Sequence, residues 1–250
     1  MQSYLTDAII DRQANKRCLP SAEDLERMTF QVVLLGSDGL VVASDRMVSY
    51  VTPGTPGVGH SVQRGLEGKF KKSDDGSLIC FFAGGPDAQD IARRISTECL
   101  PTAPELQWES RLQRVAEDFP RPIQASLSDE ILVVRRDTPS AVWLVVKSGD
   151  QRASVSKISD QRCLGDNSPA RFLPGHLWSR TTIQELKTLA ILTLSYAQQE
   201  NPSAVSEEFD VMTLGMTGDI AWETQRAGNN LQRVFTESLK NIVKRLGSRT

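Results

Sequence analysis

The chain has 250 residues, 39% hydrophobic and 24% charged, with 29 Lys and Arg against 31 Asp and Glu and a formal net charge of −2. That composition predicts a folded globular chain with a sizeable core, and it excludes a disordered polymer and bulk-charge recruitment of nucleic acid or an anionic membrane. Two histidines, four cysteines without a CxxC pair and no apolar run near the roughly 18 residues of a membrane span argue against a metal centre, a disulfide framework and a membrane anchor, so the chain reads as cytoplasmic.

Residues 1–28 are more polar than the segment after them and are set apart as an N-terminal extension or propeptide, leaving 29–250 as one domain. From Thr29 the pattern turns to β. The runs "TFQVVLLG" and "GLVVASD" are rich in β-branched residues and flank Ser37-Asp38-Gly39, a hairpin signal. "TPGTPGVGH" at 52–60 reads as a Pro/Gly loop. The turn "KKSDDGS" then leads into the strand "LICFFA", where Cys80 is expected as a small buried hydrophobe, and into Gly84-Gly85-Pro86.

Beyond Asp87 the period becomes helical, with Ala88, Ile91, Ile95 and Cys99 on one face. A second helix is predicted over about 105–119, carrying Trp108, Leu112, Val115 and Phe119. Short strands come next at 130–136, 141–146 and 153–159, and Ser168 before Pro169 reads as a helix cap. A helix over 182–199 is predicted to open on a capping box of Thr182 and Glu185, with Ile183, Leu186, Leu189 and Ala190 inward. "DVMTLG" and "DIAWET" form another hairpin, and a last helix is expected near 230–246. Strand pairs alternating with helices predict an α+β sandwich of two sheets with helices on their outer faces.

The usual catalytic signatures are missing. No GxSxG elbow, no GxxxxGK[ST] loop and no GxGxxG after a strand is present. What remains is Thr29, which opens the first strand. A threonine hydroxyl needs a base, and the residue's own α-amino group, with an ordinary pKa of about 7.7–8.0, supplies one when the threonine heads the mature chain. A nearby cation held by an acid keeps that amine neutral.

The chain resembles the proteasome-type N-terminal nucleophile hydrolases, β subunits and their bacterial relatives in particular. Thr29 at the head of the first strand, the Asp45-Arg46 pair closing the second, Lys69 in "EGKF" and the turn "FFAGGPDAQ" carry the resemblance, in that order. It implies a four-layer αββα sandwich and a threonine peptidase, with Thr29 as nucleophile, Asp45 holding Lys69, Lys69 lowering the site's pKa and Gly84 N–H receiving the oxyanion. It places supporting residues at Asp166 in "LGDNSPA" and in "QENPSAVS", at Asn201 or Glu200 and at Ser203 or Ser206. Pocket positions fall at Val48, Glu67 and Phe82, where Glu67 favours basic side chains.

The resemblance further implies peptide or unfolded-protein substrates, a homo-oligomeric ring, an ATPase partner whose presence is left open, and no cofactor. Met28 stands where self-processing relatives carry glycine, and a translation start at Met28 would present Thr29 after methionine removal. The competing expectations are a catalytically silent proteasome-fold scaffold or gating subunit, favoured by the extension, and a small-molecule amidase with the same nucleophile.

Overall fold

The computed structural model describes residues 29–52, 61–84, 87–99, 107–118, 128–138, 141–148, 152–165 and 169–227. The extension at 1–28, the loop expected beyond Thr52, Phe119, Asp166, Ser168 and the helix expected at 230–246 lie outside the described residues.

Two five-stranded antiparallel sheets organise the chain. The first runs in the order β10 (Gln161–Gly165), β1 (Phe30–Leu35), β2 (Gly39–Asp45), β11 (Glu208–Gly215) and β12 (Ile220–Arg226). The second runs β5 (Phe70–Lys72), β6 (Leu78–Gly84), β7 (Ser128–Arg135), β8 (Val142–Ser148) and β9 (Ser154–Ile158). A separate two-stranded ribbon pairs β3 (Met47–Thr52) with β4 (Ser61–Leu66). The α-helices among the described residues are α1 (Ala88–Glu98), α2 (Trp108–Glu117), α3 (Phe172–Leu177) and α4 (Ile183–Glu200), with a 3-10 turn at Pro169–Arg171 before α3. The result is a mixed α/β chain.

Strand alternation explains why the first runs are apolar without interruption. Side chains on a strand point to opposite faces in turn. Phe30, Val32 and Leu34 join a core cluster with α4, whereas Val33 and Leu35 join one that also holds Ile79, Phe81 and Leu132 from the second sheet. In β6, Leu78 and Cys80 pack with Ile91, Ile95 and Trp108 from α1 and α2. Strands covered on both faces lose the hydrophobic–polar alternation of a one-sided sheet. Cys80 is fully buried, and burial pushes its thiol well up.

The expected capping box at Thr182 is not made. Thr182 Oγ1 donates to Glu185 Oε2 at 3.4 Å and caps no backbone N–H, while the Ile183 N–H donates to Asp38 Oδ1 at 2.7 Å. The helix is capped by the β1–β2 turn, because that turn comes within reach of its first amide.

Three strands of the first sheet bring an end to the same place. Gln31 lies opposite Ser44 on β2 and Phe30 opposite Gly165 on β10, so the start of β1 is flanked by the end of β2 and the end of β10.

Candidate active site

Thr29 stands directly before β1, and the β1–β2 register delivers Asp45 to its side. The Phe30 N–H donates to Asp45 Oδ1 at 2.9 Å and the Met47 N–H to Asp45 Oδ2 at 3.1 Å. Lys69 comes from the second sheet: it precedes β5, whose Phe70 pairs with Phe81, and its carbonyl accepts the Phe82 N–H at 3.2 Å. Lys69 Nζ then donates to Asp45 Oδ1 at 2.8 Å and to Thr29 Oγ1 at 2.8 Å. Aromatic packing steadies this approach, since Phe70 lies 4.4 Å from Trp222 on β12, centroid to centroid, and Lys72 Nζ sits 4.3 Å over the same indole.

Both charged partners are buried. Desolvation pushes Lys69 below its ordinary value, opposed by the Asp45 charge and hydrogen bond. Desolvation likewise raises Asp45, opposed first by Lys69 and then by the two backbone N–H groups. A lysine held here stabilises negative charge developing on Thr29 Oγ1 more strongly than water could, because little solvent screens it.

Two glycines close the site by lacking a side chain. Gly84, at the end of β6, has φ +102°, and a Cβ there would stand 2.0 Å from the Ser128 carbonyl oxygen. Gly165, at the end of β10, has φ +83°, and a Cβ there would stand 1.8 Å from the Thr29 carbonyl oxygen. Both need the left-handed conformation that glycine adopts freely.

No family model matches this sequence, and no curated protein matches it. Solved structures do. Anbu (ancestral beta-subunit) from Yersinia bercovieri superposes with a TM-score of 0.60 at 13% identity, over 87% of this chain and 96% of that one. Anbu from Hyphomicrobium sp. strain MC1 superposes with a TM-score of 0.58 at 14% identity, over 86% and 97% respectively. The fold is proteasome-like.

Within that fold the other expected residues are distributed unevenly. Asn201 caps the end of α4 and its Oδ1 accepts the Ser203 hydroxyl at 2.8 Å. Ser206 is the serine tied to the Asp45-Arg46 segment, since its Oγ accepts the Arg46 N–H at 3.0 Å while its own hydroxyl donates to the Glu208 carbonyl. Arg46 also pairs with Glu208 at 3.5 Å and Asp210 at 3.6 Å, fastening the end of β2 to β11. Of the pocket positions, Glu67 is exposed, and Phe82 is half-buried with Lys71 Nζ 5.8 Å from its ring centroid. Val48 is placed on β3, opposite Gly65.

Sequence reasoning missed Gln31. Its Nε2 donates to Ser44 Oγ at 2.9 Å and to the Phe82 carbonyl at 2.8 Å, joining the two sheets beside the site. A lone glutamine inside "FQVVLL" was the available signal, because a fully buried amide demands partners. Among the described residues no His, Cys, Asp and Glu group is fit to hold a metal ion, and no helix is long and apolar enough to cross a membrane.

Proposed function

We propose that this chain is a threonine peptidase whose domain spans 29–250 as a four-layer αββα sandwich. The observation that carries the reading is the position of Lys69 Nζ, 2.8 Å from both Thr29 Oγ1 and Asp45 Oδ1. The sandwich is supported by three apolar clusters, one between the sheets and one under the helices on each outer side.

In the proposed reaction Thr29 Oγ adds to a peptide carbonyl carbon and its proton passes to the Thr29 α-amine. The oxyanion is received by Gly84 N–H while Lys69, oriented by Asp45, stabilises the hydroxyl oxygen as it loses its proton. The amine returns the proton to the leaving nitrogen as the C–N bond breaks, which leaves an ester on Thr29. Water, deprotonated by the same amine, hydrolyses that ester and regenerates the hydroxyl. Val48, Glu67 and Phe82 are the proposed pocket, and Asp166, Asn201 and Ser203 the proposed supporting residues, with Ser206, whose Oγ accepts the Arg46 N–H, as the alternative serine. The substrate class is peptides and unfolded segments, and the assembly proposed is a ring of identical chains.

The scheme requires a free amine on Thr29, whereas in the full sequence Thr29 is preceded by Met28. That one fact favours the second reading, a silent scaffold or gating subunit of the same fold. Intact mass and N-terminal sequencing of the purified native protein separate the two. A chain beginning at Thr29 that cleaves peptides, and whose Thr29→Ala variant does not, supports the peptidase. A chain retaining Met28, or a Thr29→Ala variant as fast as the parent, rejects it.

A further inference from the structure

Gly165 is gripped by side chains from two other elements. Its N–H donates to Glu130 Oε2 at 2.7 Å, and its carbonyl accepts from Arg171 Nη2 at 2.5 Å. Glu130 lies on β7 in the second sheet, Gly165 at the end of β10 in the first, and Arg171 in the 3-10 turn before α3. The Glu130 bond therefore crosses from sheet to sheet. Glu130 shares its face of β7 with Leu132 and Val134, which belong to the cluster between the sheets, so its carboxylate lies at the end of that interior.

The end of β10 cannot be held by its neighbour alone. Phe30, opposite Gly165, gives its N–H to Asp45 and so is no donor to the Gly165 carbonyl, which takes Arg171 instead, while the Gly165 N–H finds its acceptor in Glu130 Oε2. The grip also has a short reach to the site. Gly165 approaches the Thr29 carbonyl so closely that no Cβ fits between them, so a shift of the glycine toward Thr29 must displace it.

We propose that Glu130 is a positioning residue of the candidate site: by holding the Gly165 amide across the gap between the sheets, it fixes the strand end against which Thr29 packs and so sets how Thr29 Oγ1 meets Lys69. The inference rests on the threonine-peptidase reading. It assigns Glu130 no contact with substrate; the carboxylate acts through Gly165.

The test uses the full assembled protein as parent, Glu130→Gln and Glu130→Ala. Hydrolysis of a fluorogenic peptide gives kcat and KM, a peptide epoxyketone titrates competent Thr29, and hydrogen exchange is measured in the segment 161–171. Glu130→Gln keeps an acceptor oxygen and is expected to retain parental turnover and exchange. Glu130→Ala is expected to lower kcat about tenfold to a hundredfold at unchanged KM, as misplacement of a reacting group does, and to speed exchange at Gly165. Equal losses in both variants, or Glu130→Ala with parental kcat in an active parent, overturn the role of Glu130 and leave the peptidase reading standing. A parent that neither cleaves peptide nor takes the epoxyketone overturns the peptidase reading itself.

Discussion

Lys69 Nζ lies 2.8 Å from Asp45 Oδ1 with 3% of the lysine side chain and none of the aspartate side chain exposed. Removing one member of a buried pair leaves the other uncompensated and costs about 3–5 kcal/mol. Lys69→Ala strands a carboxylate among two backbone N–H donors, and Asp45→Ala strands an ammonium beside a hydroxyl. Each single variant is expected to lose stability on that scale, and the double variant to lose much less than their sum. Denaturant unfolding of the four proteins checks this, and additive losses would mean that the pair is not coupled. Peptide hydrolysis is expected to vanish in all three variants.

The two glycines of the site differ from a third that serves as control. Gly76 has φ +66° with nothing within 4 Å of an added Cβ, so Gly76→Ala is expected to cost only the left-handed conformation, about 1–2 kcal/mol. Gly84→Ala and Gly165→Ala add overlaps with the backbone at 2.0 Å and 1.8 Å to the same strain. Both are expected to melt well below Gly76→Ala. Equal melting temperatures would show that the strand ends can move apart freely.

The fold is legible in the sequence wherever a strand or helix is long and its burial decides its composition. The β1–β2 hairpin, β6, α1, α2 and β7 through β9 fall where hydrophobic pattern and turn residues put them. The ribbon β3–β4 and strands β5 and β10 escape the pattern because "SVQRGL", "FKK" and "QRCLG" are short or polar and owe their conformation to neighbouring strands. At the site the same division holds. Thr29 and Asp45 belong to one hairpin that the local pattern predicts, whereas the roles of Asp45 and Lys69 come only through the family resemblance. Nothing near Glu130 in sequence announces Gly165, 35 residues away, because that contact exists only once the two sheets face each other. The Asp38 cap escapes for the same reason.

That cap gives a clean comparison. Asp38 Oδ1 accepts the Ile183 N–H, while Thr182, in the sequence position of a cap, leaves the helix amides alone. Asp38→Ala is expected to cost about 1 kcal/mol, the usual loss on removing a helix cap, and Thr182→Ala close to nothing. Urea unfolding of both variants checks the order, and the reverse order would return the capping role to Thr182.

Asp129 predicts a pH dependence whose sign is set by its surroundings. It is 7% exposed, its carboxylate accepts the Ala88 N–H at the start of α1, and its Oδ1 takes no hydrogen bond among the described residues. Burial first, then the charge of Asp87, pushes its carboxyl up from 3.8 to about 7, against the Ala88 N–H and Lys147. A carboxyl raised on folding binds its proton more tightly in the folded chain, so the folded state loses stability as pH climbs from the unfolded value to the folded one. The penalty is absent below about pH 4 and complete above about pH 7, with an upper bound of about 4 kcal/mol. Asp129→Asn keeps an acceptor for Ala88 and cannot ionise. The variant is therefore expected to match the parent in urea unfolding at about pH 4 and to exceed it at about pH 8, and a difference that stays constant with pH would show that Asp129 does not titrate in this range.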